Sequence, residues 1–249
     1  MRMRKRHNLE PRLEKCAGVI AAAPEENKGR WLQGFPDLKS LHIEIGCGKG
    51  RFTAETAKAE PGVLLVALEK IADAMVIASE RICRDGSENV RFIIGDAKDL
   101  KEMFADGEAE RIYINFCDPW PKSRDAKFRL TFPGFLRLYA DILTVGGEIH
   151  FKTDNTPLFD WSLEQFKAEG WELKEVTHDL HKNGPVGIMT DYEAKFYAEG
   201  MKINRLAAVK TAATKTTAAG PVARFHDAAL TDARGFAESK KAHEGDKNE

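Results

Sequence analysis

From about residue 37 to residue 209 the chain alternates two patterns. Short, nearly continuous apolar runs occur at Leu41–Ile45, Val63–Leu68, Val90–Ile94, Ile112–Cys117, Glu148–Lys152, Trp171–Val176 and Ile203–Val209. Between them, apolar residues recur at helical spacing: Phe52, Ala54 and Ala57, then Ala72–Ile82, Phe135–Leu143 and Leu163–Ala168. Runs such as Val63–Leu68 have no polar alternation, as expected of a strand buried on both faces. Strands alternating with helices predict an α/β fold: about seven strands in a mostly parallel sheet, helices on both faces and right-handed crossovers. The pair Gly146-Gly147 is expected to stop the helix before it.

The flanks differ in composition. Residues 1–36 read as a basic arm with one amphipathic stretch, in which Leu9, Leu13, Cys16, Ala17 and Ile20 share a helical face. Over residues 1–40, nine Lys/Arg against five Asp/Glu leave a net charge of +4, whereas the whole chain has a formal net charge of −1. Attraction to a polyanion therefore has to come from patches. The arm reads as a phosphate contact or a solvated charge run. Residues 210–249 are rich in Ala, Thr, Lys, Asp and Glu and are expected to form a disordered tail or a loose helix.

Cys16, Cys47, Cys83 and Cys117 stand more than 30 residues apart, without a CxxC pair, which argues against a zinc site and for reduced thiols. The first residues lack the apolar core of a secretory signal, and no apolar run approaches the ~20 residues that cross a bilayer. A cytoplasmic protein, with no membrane partner and no metal, is the expectation.

In an open α/β sheet, ligands bind at the carboxyl ends of the strands. Here five successive strand ends carry a carboxylate: Glu44, Glu69, Asp96, Asp118 and Asp154. Any one of them could simply cap a helix; five in succession point to a site. The first is followed by Gly46, Gly48 and Gly50, which let the backbone turn tightly and approach a ligand. Glu69 lies 19 residues beyond Gly50, where a carboxylate can accept both hydroxyls of a ribose. That much suits either a nicotinamide dinucleotide or S-adenosylmethionine (SAM). The turn, however, reads G-x-G-x-G rather than the dinucleotide G-x-G-x-x-G, and Glu44 stands two residues before it. A carboxylate there repels a pyrophosphate and attracts an ammonium, so SAM fits better.

Asp118-Pro119-Trp120-Pro121 is expected to be held extended by its prolines and to present Asp118 and Trp120 beside that site. Trp120 could stack on a base, or serve as a core or lid residue. Lys122, Arg124, Lys127 and Arg129 follow, with Asp125 the one acid among them, giving a local net charge of +3. A carboxylate, an indole and cations together suit a purine on a phosphate chain. Thr190-Asp191-Tyr192-Glu193 has capping-box spacing. His178 and His181 have the spacing of a metal pair but lack a third ligand.

Leu41–Gly50, Ala67–Lys70, Asp118–Lys122, Phe151–Asp154 and Thr190–Glu193, taken in this order and spacing, resemble the bacterial tRNA (guanine-N(7)-)-methyltransferase family, the TrmB type. The likeness runs from Met1 to about Val209. It implies a class I methyltransferase with a Rossmann-like fold, SAM as cofactor, and tRNA, at a variable-loop guanine, as partner. Glu44, Gly46, Gly48, Glu69, Asp96 and Asp118 would line the SAM site, and Asp118 would be catalytic. Lys122, Asp154, Thr190, Asp191, Tyr192 and Glu193 would contact the substrate, and Arg124, Lys127 and Arg129 the RNA. The chain departs from the family at Ser123, Asp125 and Phe128, where polar or basic residues are expected. The residues alone leave other readings open: a methyltransferase for another RNA base, a protein or a small molecule; a nicotinamide oxidoreductase; or a non-catalytic RNA-binding module. Monomer and homodimer are both compatible.

Overall fold

A computed structural model describes residues 7–220. Seven strands form one sheet: β1 (Ser40–Ile45), β2 (Val63–Glu69), β3 (Val90–Ile94), β4 (Ala109–Asn115), β5 (Leu143–Thr153), β6 (Glu172–Thr177) and β7 (Asn204–Val209). Their order is β3-β2-β1-β4-β5-β7-β6, and only β7 runs against its neighbours. The helices are α1 (Leu9–Lys15), α2 (Arg51–Ala59), α3 (Ala72–Asp85), α4 (Leu100–Met103), α5 (Pro133–Ile142), α6 (Thr156–Ala168) and α7 (Asp191–Ala198). The mostly parallel α/β sheet expected from the sequence is the one found.

The period-two alternation of the strands assigns the two faces. Leu41, Ile43 and Ile45 of β1 and Leu64, Val66 and Leu68 of β2 pack with Leu136 and Tyr139 of α5 and Phe159 and Phe166 of α6. On the opposite face Ala67 meets Ala54 and Ala57 of α2 and Met75, Ala78 and Ile82 of α3. Alanines are prominent in this second layer. His42 and Glu44 alternate onto this face of β1, so an acid in a central strand ends up under α2 rather than in solvent.

Three local expectations differ from the structure. Gly146 and Gly147 do not stop a helix. Helix α5 ends at Ile142 and β5 begins at the next residue. The glycines lie inside β5, where the pairing jumps from Ala109↔Leu143 to Arg111↔Glu148. A Cβ on Gly147 would stand 2.9 Å from the Thr144 carbonyl and 3.0 Å from that of Glu110, so the bulge requires glycine. Second, the amphipathic stretch of the arm breaks at Cys16; α1 docks on α3 through Arg12 and Glu80 at 2.7 and 2.8 Å. The chain then runs along the free edge of β3, with the Ala21 amide donating to the Phe92 carbonyl at 2.8 Å. Further on, Trp31 stacks on Phe104 at 5.4 Å. Third, residues 210–220 are packed rather than loose. The Lys210 amide bonds Gly147 O at 2.8 Å, the Lys215 amide bonds Glu169 O at 2.9 Å, and the Thr217 amide reaches Asp141 at 3.2 Å. The packed chain thus extends past both composition limits, 36 and 209. The remainder of the expected tail, 221–249, lies outside the described residues, as does the start of the arm.

Candidate active site

The site lies where the strand order reverses, at the carboxyl ends of β1 and β4. Gly46, Gly48 and Gly50 all take left-handed φ values, +77°, +57° and +72°. The turn they make is anchored to β2, since the Gly46 and Cys47 amides donate to Leu68 O at 2.8 and 3.0 Å. Glu69 holds it from the side: one carboxylate oxygen accepts from the Gly48 amide at 3.0 Å and the other from the Ile71 amide at 2.9 Å. Gly50 caps α2 and leaves no room for a side chain, because a Cβ there would be 2.7 Å from the Ala78 Cβ.

Glu44 is 2% exposed, and its carboxylate accepts from the Thr53 hydroxyl of α2 at 2.6 Å. Burial pushes its pKa up to about 7, against the opposing influence of Thr53, Asn115 and Lys152. Asn115, at the end of β4, is also buried. Its amide lies near enough to favour the charged form of Glu44, yet neither amide atom makes a well-formed hydrogen bond within the protein. These two polar groups stand on the wall of a cavity of about 570 Å³, which the glycine turn, Phe52 and Phe116 also line. Thr190, Asp191, Tyr192 and Lys195 complete its lining.

Of the residues singled out in the sequence, the structure brings Glu44, Gly46, Gly48, Thr190, Asp191 and Tyr192 to this cavity. Glu69 stands behind the turn it bonds. Asp96 heads the short helix Ala97–Asp99 and accepts from the Lys98 amide at 3.2 Å. Asp118 is exposed on the loop after β4, and Asp154 is half-buried after β5. Neither lines the cavity, but both bear on Cys117, whose thiol is pushed up to about 12 by burial and then by the charges of Asp118 and Asp154. Burial also raises the Asp154 carboxyl.

The Asp-Pro-Trp-Pro loop departs locally from the extended conformation at Trp120. Phe116 and Trp120 both adopt left-handed φ, +55° and +43°, although Trp120 precedes a proline. Arg129 explains how the bend is held. Its guanidinium lies beneath the loop, donating to Pro119 O at 3.1 Å and Trp120 O at 3.0 Å and stacking on the Trp161 ring at 4.4 Å. At 2% exposure, Arg129 is unavailable to an RNA backbone, which corrects the role expected for it. Lys122, Arg124 and Lys127 are exposed. Phe128, one of the departures from the family pattern, is 49% exposed and lies 5.2 Å from the Trp120 ring. An apolar shelf therefore stands among these cations.

Thr190 and Glu193 form a full capping box for α7. Glu193 is 0% exposed and pairs with Lys152 at 2.6 Å and His181 at 3.0 Å, so its carboxylate is turned away from the cavity, unlike its three neighbours. His178 bonds Asp160 at 2.8 Å. Among the described residues no group of three or more His, Cys, Asp or Glu could hold a metal, and no helix is long and apolar enough to cross a membrane. Sequence reasoning passed over Asn115 and Lys152. Each is a polar residue inside or ending a buried apolar strand, which is the signal that could have found them.

The fold is shared with class I methyltransferases of known structure. One described as an antibiotic-related methyltransferase superimposes with a TM-score of 0.56 at 17% identity, over 77% of this chain and 95% of the other. A variant of the 16S rRNA (adenine(1408)-N(1))-methyltransferase from Catenulisporales acidiphilia, solved with its cosubstrate SAM, gives a TM-score of 0.54 at 13% identity, over 76% and 91%. Residues 38–206 match the family described as "Putative methyltransferase". The tRNA (guanine-N(7)-)-methyltransferase of Geobacillus sp. (strain WCH70) is 43% identical over 206 residues, which is 82% of this chain and 94% of that protein. The chain belongs to the tRNA (guanine-N(7)-)-methyltransferase family.

Proposed function

We propose that the protein transfers the methyl group of SAM to nitrogen 7 of a variable-loop guanine in tRNA. The observation that carries this is a pair of buried polar groups, the Glu44 carboxylate and the unpartnered Asn115 amide, lining one cavity with Thr190, Asp191 and Tyr192. They fit the ammonium and carboxylate of an amino-acid moiety, and the glycine turn leaves open space where a side chain would otherwise intrude. Glu69 and Asp96, at the next two strand ends, are suited to the ribose and the base. When bound, SAM supplies an electrophilic methyl on a sulfonium.

Nitrogen 7 already carries an in-plane lone pair, so no general base is required. The protein's task is to align the nucleophile and to stabilise the charge that reaches the ring. We assign that role to Asp118 and Asp154, whose charges both bear on Cys117 at the end of β4, with Asp118 as the catalytic residue. Thr190, Asp191 and Tyr192 border the acceptor's side of the cavity, and Lys122, Arg124 and Lys127 meet the phosphate chain. The test is incubation of the protein with labelled SAM and unmodified tRNA, followed by nucleoside analysis. Label in 7-methylguanosine is expected. Label in another nucleoside, or none with SAM still bound in calorimetry, overturns the acceptor; no SAM binding overturns the cofactor.

A further inference from the structure

We propose that Lys152 is a positioning residue: its ammonium seats the segment from His181 to Tyr192 as the wall against which the acceptor is aligned. This rests on the reading of the cavity as a methyl-transfer site. Lys152 stands in the middle of the buried sequence Phe151-Lys152-Thr153 of β5 and is 8% exposed. A strand interior has no use for a cation unless something across from it requires one.

The ammonium donates to Glu193 at 2.6 Å and to Ile188 O at 2.9 Å, with the Phe52 ring centroid 5.2 Å away. The other oxygen of Glu193 faces His181 Nε2 at 3.0 Å. The Val186 amide donates to His181 Nδ1 at 3.1 Å, which leaves Nε2 as the protonated nitrogen, donating to Glu193. The Thr190 amide adds a longer bond to Glu193 at 3.3 Å. Directly or through Glu193, one ammonium therefore fixes residues 181, 186, 188 and 190. Over this stretch no residue belongs to a regular element until α7 begins. Other attachments include Leu180 N to Ile203 O at 2.8 Å, the His181 ring against Tyr197 at 5.1 Å, Ile188 against Phe52, Leu65 and Tyr113, and the part-exposed Arg81–Asp191 pair at 3.6 Å.

Lys152 and Glu44 also attract one another across the strand ends. The same cation thus acts on both the carboxylate of the cofactor pocket and the acceptor wall. Two walls that must agree in position share one fixed charge, and Glu193 acts through it rather than on the base.

The test uses Lys152→Met, Glu193→Gln and the double variant. Amide exchange of residues 184–195 in the free protein should accelerate in each single variant. With SAM saturating, kcat/KM for tRNA should fall about a hundredfold in each, as expected of a wall displaced by about an ångström, while the SAM affinity of Glu193→Gln, which keeps the lysine beside Glu44, stays within about threefold. The double variant should be no worse than Lys152→Met, because both substitutions break one linkage. Lys152→Arg, which keeps the charge, should recover part of the loss. Additive losses in the double variant, or unaltered exchange over 184–195, overturn the proposal. Glu193→Gln is nearly isosteric and decides the matter even if Lys152→Met does not fold. The exchange measurement needs no RNA, so its outcome stands apart from whether tRNA is the acceptor.

Discussion

Replacing Gly50 by alanine separates two costs that are usually entangled. Gly46 and Gly50 have nearly equal left-handed φ, +77° and +72°, so a side chain at either carries the same backbone penalty, about 1–2 kcal/mol. Their surroundings differ. A Cβ at Gly46 meets nothing within 4 Å, whereas one at Gly50 lands 2.7 Å from the Cβ and 2.9 Å from the Cα of Ala78. Those atoms belong to the middle of α3 and cannot swing aside, and overpacking of this kind costs about 1–3 kcal/mol more. Gly50→Ala should therefore lose about 2–5 kcal/mol and Gly46→Ala about 1–2. Urea unfolding with matched slopes measures the difference as a shift in midpoint. The difference, not either value, is the prediction, because the backbone term cancels in it. Equal midpoints would refute the reasoning, as would the larger loss at Gly46. The same displacement should reach the ligand, since α2 carries the Thr53 hydroxyl that holds Glu44.

Three further outcomes are expected. Asp118→Ala should lower kcat about 10²–10³-fold with tRNA affinity nearly unchanged in filter binding; equal turnover would remove Asp118 from the chemistry. Arg124→Ala or Lys127→Ala should each reduce the salt slope of tRNA binding by about one without moving the melting temperature, whereas Arg129→Ala should leave the slope alone and destabilise the fold by about 1–3 kcal/mol, because two loop carbonyls lose their donor. For Glu44, the folded carboxyl holds its proton up to about pH 7, against 4.5 in its ordinary state. Across that window the folded chain binds the proton more tightly than the unfolded chain, so ligand-free stability should fall as pH rises. SAM affinity, which needs the carboxylate, should rise up to about tenfold per pH unit and level off above about pH 7. Calorimetry across that range checks it, and a flat profile identical to that of Glu44→Gln would exclude the linkage.

What the sequence disclosed and what it withheld divide along physical lines. Strands such as Val63–Leu68 were legible because burial on both faces leaves only apolar residues. The glycine turn was legible because left-handed backbone selects a residue type. Both are local demands. Lys152 and Glu193 are 41 residues apart, and nothing near either names the other. The capping box of Thr190 and Glu193 was visible, but not that the same carboxylate also holds a buried lysine. Arg129 sat in a run of cations whose periodicity could not say which one turned inward. Gly146 and Gly147 carry the same signature whether they end a helix or permit a bulge, and only the register with β4 decides. Of the five strand-end carboxylates only Glu44 lines the open cavity, while Glu69, Asp96, Asp118 and Asp154 do not, a difference set by side-chain direction that strand position alone does not carry.

The order of the last three strands has a consequence for synthesis. Among the described residues strand β6 has no partner but β7, and β7 lies between it and β5. As the chain leaves the ribosome, residues 172–177 emerge with nowhere in the sheet to go, and the flank of β5 stays open until residues 204–209 arrive. Only then do two rows of backbone bonds close together. Five strands can assemble as they emerge, but the final pair must wait for its middle member. For that interval the nascent protein presents an unpaired edge of β5, the kind of surface on which another chain can add a strand.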